Sequence, residues 1–129
     1  LLTAFMAGLK RQKLVALDVN DVSFTAEAML LKVRGEDDAT TRTLAVPATG
    51  GVLCAALAVK QYVEHLALED GALFRSFDRG GAHTDKRLAA AFVSCVLKAR
   101  LTTVGVDAKL FSGESLRHGR ALETMPGAL

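Results

Sequence analysis

Glu114 and Arg117 stand three residues apart in the stretch FSGESLRHG, residues 111 to 119. On a helix that spacing puts both side chains on one face, an acid and a base placed to pair. An exposed pair of this kind adds little to stability. Its chemical interest lies in whether the guanidinium is left available to another anion. The remaining cations are unevenly spread. Lys10, Arg11 and Lys13 form one basic knot, while Lys98, Arg100, Lys109, Arg117, His118 and Arg120 load the C-terminal third. Asp18, Asp21, Glu36, Asp37 and Asp38 lie between them. The formal net charge of +2 neither demands nor excludes a nucleic-acid partner, so the distribution carries more information than the sum.

Other chemistries find little support. Cys54 and Cys95 both fall in apolar, helix-like runs, with no CxxC pair and no His/Cys cluster, so neither a zinc site nor any other metal or cofactor is expected. They read as buried free thiols in a reducing cytoplasm. His65 and His83 carry no assigned role, and His118 taken alone reads as structural or solvated. Tyr62 is the single tyrosine and lies mid-helix. The opening LLTAFMAGL is apolar but too short to span a bilayer. Its basic residues follow the apolar run, the reverse of a signal peptide. The chain has no initiator methionine and begins inside a helical pattern, which reads as a piece of a longer protein.

The elements that must position these groups follow from pattern. With 129 residues, half of them apolar and 23% charged, the chain reads as one globular domain, residues 1–129. Trp is absent, so Leu, Val and Ala must build the core. Residues 1–9 read as the end of a helix with Gly8 as its C-cap. Residues 11–17 form a short amphipathic helix, and 18–21 a turn. The β-branched, apolar stretch that follows predicts three antiparallel strands at 22–24, 29–34 and 41–46, the last closed by Pro47. Apolar positions at helical spacing predict a helix over 51–68. Residues 72–83 read as a loop around Gly80 and Gly81. Thr84 is an expected N-cap, although Arg87 stands where a capping box wants Glu. A helix over 85–103 then places Leu88, Phe92, Val96 and Leu97 in the core. Ser112 is expected to cap a last helix carrying Glu114, Leu116, Arg117 and Arg120, ended by Pro126 and Gly127. Helix, small sheet and further helices make an α+β fold, mostly helical with a three-stranded antiparallel sheet.

In that order the motifs resemble the catalytic domain of tyrosine recombinases, the phage-integrase family. Gly8, Leu9, Arg11, Leu14, Leu17 and Asp21 fit its first conserved box; TRTLAVP fits its third strand, and GALFRSF the segment after its long helix. FSGESLRHG is similar to its second box except at Glu114. The resemblance implies DNA strand breakage and rejoining through a phosphotyrosine. Two arginines grip the phosphate, and a lysine and two histidines manage protons. Guanidinium forks suit that task because they match phosphoryl oxygens and neutralise the growing charge.

Carried over by position, the first arginine falls on Lys10, which keeps the charge and loses the fork. Arg11 is displaced by a helical step of about 100°. The family glutamate falls on Lys13. The sheet lysine is expected near Glu36, and Lys32 in the preceding strand is a poor substitute. The first histidine falls on Glu114, and Arg117 matches the second arginine. The sequence ends before the positions implied for a second histidine and the tyrosine, and Tyr62 is on the wrong element for a nucleophile. A carboxylate at 114 would repel an incoming phosphate and draw off Arg117.

The implied function is a recombinase-like domain that binds double-stranded DNA but does not cleave it. Its implied site residues are Arg117, Lys10 and Glu114 at catalytic positions, and Lys10, Arg11, Lys13, Arg117 and His118 toward DNA. The basic knots favour that reading, whereas the charge reversals at Lys13, Glu36 and Glu114, which spoil a phosphate site, favour a non-catalytic protein-interaction or regulatory domain that kept the fold. A decayed gene product without a present role is a third reading. Without the C-terminal segment that family members pass to a neighbour, an apolar groove and a homo-oligomer are expected.

Overall fold

A computed structural model describes residues 1–35 and 40–124 of the chain. Helix α1 (Leu2–Ala7) stops at Gly8, whose φ of 64° puts it in the left-handed region while its N–H donates to the Phe5 carbonyl. Glycine enters that region without the Cβ clash that penalises other residues. Helix α2 (Arg11–Val15) follows, then a 3-10 turn at Val19–Asp21.

Strands β1 (Val22–Phe24), β2 (Ala28–Arg34) and β3 (Thr41–Pro47) form an antiparallel meander in the order β1-β2-β3. Opposite pairs include Met29 with Val46 and Leu31 with Leu44. Side chains alternate across a strand, so Met29, Leu31 and Val33 point into the core while Lys32 and Arg34 point to solvent. The expected strands at 22–24, 29–34 and 41–46 are thus present within one residue at each end. The expected Glu36 position, with Asp37 and Asp38, lies outside the described residues.

Helix α3 (Ala55–His65) lays Ala55, Ala56 and Val59 on this sheet. It starts four residues later than the periodicity over 51–68 predicts. The Cys54 sulfur accepts the Leu57 N–H at 3.4 Å and caps the helix, leaving Val52 and Leu53 exposed. Leu17, Met29, Leu31 and Leu73 are the largest fully buried side chains. Each contributes roughly 1.5–3 kcal/mol relative to staying in water.

Residues 72–83, predicted as a loop, hold the first strand and the start of the second in a second sheet. Strands β4 (Arg75–Phe77) and β5 (His83–Arg87) pair as a hairpin. Polar contacts build it, which is why no apolar alternation announced it. Ser76 and Thr84 share a hydroxyl–hydroxyl bond of 2.7 Å, and Asp78 Oδ1 accepts from the N–H groups of Gly80 and Ala82 across the turn. Thr84, expected to cap a helix, is therefore a strand residue, and α4 (Ala90–Thr103) begins at Ala90, not at 85. With that start, α4 buries Val93 and Leu97. Phe92, expected in the core, is 50% exposed. Cys95 is exposed and only Cys54 is buried, against the expectation for both; both thiols are free. After a 3-10 turn at Ala108–Leu110, helix α5 (Gly113–Thr124) completes the chain as described. Pro126 and Gly127 lie outside the described residues.

Candidate functional site

The left-handed turn at Gly8 sends the chain into the core at Leu9 and out again at Lys10. Lys10 is extended (φ −62°, ψ 148°) and is the N-cap of α2, its carbonyl accepting the Leu14 N–H at 3.0 Å. A helical step of 100° therefore does not separate Lys10 from Arg11, because Lys10 precedes the helix. Lys13 lies one turn in, and its ammonium donates to the Arg34 carbonyl at the end of β2, 2.9 Å away.

Helix α5 approaches from the other side. Gly119 permits the close approach: a Cβ there would lie 3.3 Å from the Phe5 ring of α1. Lys10 at the N-cap of α2, Gln12 and Lys13 within it, and Glu114 and Arg117 from α5 line one open cleft of about 490 Å³. Arg117 Nη1 lies 3.4 Å from Glu114 Oε2, each side chain being 43% exposed. His118 Nε2 lies 3.8 Å from the same oxygen. One carboxylate thus serves two neighbours on its own helix.

The structure sorts the expected site residues. Lys10, Lys13, Glu114 and Arg117 share the cleft, whereas Arg11 and His118 are not among the described residues lining it; His118 reaches it through Glu114. Lys32 lines a separate small cavity of about 40 Å³ with Lys13 and Arg34. Tyr62, on α3, lines another cavity with Leu2, Val59 and Phe74. Its hydroxyl shares a 3.2 Å hydrogen bond with His83 Nε2, and burial pushes its pKa up from the ordinary phenol value.

Sequence reasoning missed three participants. Gln12 lines the cleft; a lone glutamine among cations carries no signal. Arg34 contributes both its carbonyl to Lys13 and its guanidinium to Asp18 and Asp21, at 3.4 and 3.7 Å. Arg87 reaches from β5 to the C-terminal end of α2, donating to the Val15 and Leu17 carbonyls at 2.7 and 3.1 Å and pairing with Asp18. Partners about 70 residues away leave no local trace.

Chemically the cleft offers three cations and one carboxylate. Lysines supply point charges and Arg117 supplies a planar fork, a set suited to phosphoryl or carboxylate oxygens. The described residues lining it include no serine, cysteine or tyrosine. Among the described residues no group of three or more His, Cys, Asp or Glu side chains is placed to hold a metal, and no helix is long and apolar enough to cross a membrane. An apolar groove of about 470 Å³ opens elsewhere, lined by Leu1, Leu2, Phe5, Met6, Leu53 and Leu116.

No protein-family model matches the chain. A curated relative is the integrase/recombinase xerD homolog of Selenomonas ruminantium, 26% identical over 121 residues, which are 91% of this chain and 36% of that protein. A solved structure with a similar fold is the XerH site-specific recombinase bound to its difH substrate in a pre-cleavage complex. The TM-score is 0.69 at 15% identity, over 95% of this chain and 33% of that one. The chain thus spans roughly a third of the length of both proteins. The chain therefore shares its fold with the XerH recombinase and is similar in sequence to the xerD homolog, so it is recombinase-like in fold.

Proposed function

We propose that this domain binds duplex DNA through the phosphate backbone at the α2–α5 cleft and does not cut it. The observation that carries the reading is the convergence of Lys10 at the N-cap of α2 and Lys13 within it with Arg117 from α5 on one cleft. These residues are a hundred positions apart in sequence and would have no reason to meet on a face that avoided anions. The xerD homolog and the DNA-bound XerH structure supply the polymer. Cleavage is not expected because Tyr62, the only tyrosine, is held on α3 against His83. Lys10 also lacks the fork that an arginine would present.

Each phosphate neutralised releases a counterion and steepens the fall of log affinity with log salt by about 0.9. Three contacts give a slope near −2.7 on that rule. Fluorescence anisotropy of labelled duplex across a salt series tests this. A nicked suicide substrate tests the second half, since a covalent protein–DNA adduct would contradict the non-cleaving reading.

Two observations favour a protein-interaction or regulatory domain instead: Glu114 already pairs with Arg117, and an apolar groove lies open at Leu1, Phe5 and Leu116. Absence of DNA binding even at low salt would select that reading. The groove also supports self-association. Light scattering at high concentration checks it, and a monodisperse monomer would count against it.

A further inference from the structure

Helix α2 is five residues long, too short to hold its own orientation in water. At its C-terminal end the Gln12 and Leu14 carbonyls accept backbone N–H groups from Ala16 and Leu17, and the Leu17 carbonyl accepts the Leu73 N–H, while the Val15 carbonyl accepts from a side chain. Val15 and Leu17 are buried, at 7% and 2% exposure, so water is a poor substitute there. A single guanidinium nitrogen, Arg87 Nη1, serves both the Val15 and Leu17 carbonyls, while Nη2 pairs with Asp18. Asp18 in turn pairs with Arg34, and the Arg34 carbonyl accepts the Lys13 ammonium. The contacts close a ring: Arg87 on β5, Asp18 after α2, Arg34 on β2, Lys13 on α2, and back through Val15 to Arg87. Arg87 is not among the described residues that line the cleft.

We propose that Arg87 is a positioning residue for the cleft: by fixing the end of α2 and, through Asp18, the end of β2, it sets where Lys13 presents its charge. The inference rests on the DNA-binding reading above. Arg117, carried by α5, lies outside the ring and is unaffected. A guanidinium suits this position because its planar fork addresses two carbonyls and a carboxylate together.

The test is a double-mutant cycle read by DNA anisotropy over a salt series on the full chain. Arg87→Met keeps the aliphatic stem and removes the donors. It is expected to weaken binding about fivefold and to lower the magnitude of the salt slope by about 0.9, as if one phosphate contact were lost. In that background Lys13→Met should cost at least about threefold less than in wild type, whereas Arg117→Ala should cost the same in both. A merely structural role lowers the melting temperature and leaves the slope and the Lys13 coupling unchanged. A direct Arg87–phosphate contact makes the Lys13 and Arg87 losses additive. Either result overturns the proposal. Where Arg87→Met does not fold by circular dichroism, Arg87→Lys, which retains a charge beside Asp18, carries the same cycle. Wild-type protein that fails to bind DNA removes the parent reading, and this one with it. Wild type that binds, beside an Arg87→Met protein that binds equally well, removes this one alone.

Discussion

Replacing Glu114 with glutamine should strengthen DNA binding while weakening the fold, and the two effects have separable origins. The carboxylate lies 3.4 Å from Arg117 and 3.8 Å from His118. A phosphate gripped by Arg117 would sit about 6 Å from that carboxylate. At this distance two like charges repel by about 0.7 kcal/mol in bulk water and about 2.8 kcal/mol at an effective dielectric of 20. Both side chains are 43% exposed, so the lower half of the range applies. Removing the charge should therefore raise affinity by roughly three- to twentyfold at low salt, a gain that shrinks as salt screens it. Stability moves the other way. Glu114 sits in the first turn of α5, where an acid interacts favourably with the helix dipole by about 0.3–1 kcal/mol. The half-exposed pair with Arg117 adds less than about 1 kcal/mol. Anisotropy at two salt concentrations and a urea melt read the two quantities. Affinity unchanged or reduced at low salt would refute the reasoning, because it would mean that Glu114 does not compete for the phosphate.

Glu114→His alone should restore no strand cleavage, since Tyr62 stays on α3; a covalent adduct on a nicked duplex would contradict this. Leu31→Ala should destabilise the fold by about 2–5 kcal/mol in urea denaturation, because Leu31 is fully buried between sheet and helices. Iodoacetamide should modify Cys95 before Cys54 in the native protein, as peptide mapping would show. Hydrogen bonds from the Leu57 N–H first, then from Gly50 and Thr49, lower the Cys54 thiol to about 7, but its 2% exposure denies the reagent access.

The three-stranded sheet was legible because burial and sequence share one period there: Met29, Leu31 and Val33 alternate with Leu30, Lys32 and Arg34. The turn at Gly8 was legible because only glycine enters that conformation cheaply. The β4–β5 hairpin was not, because hydroxyls and Asp78 build it where apolar alternation would have signalled a strand. The start of α3 was misplaced because Val52 and Leu53 extend the helical period and yet stay exposed ahead of the Cys54 cap. Of the cleft, Glu114 and Arg117 announced themselves by spacing, and Lys10 and Lys13 by clustering. Gln12, Arg34 and Arg87 did not, since their roles depend on which distant backbone groups the fold brings to them.

That the cations of α2 and α5 act as one phosphate site is tested most directly by comparing wild type and Arg117→Ala in duplex-DNA anisotropy from low to high salt. The expected result is steep salt-dependent binding by wild type. Arg117→Ala should bind more weakly on every DNA sequence, with a slope shallower by about 0.9. Identical affinity and slope for the two proteins would contradict it, placing any DNA contact on a different face.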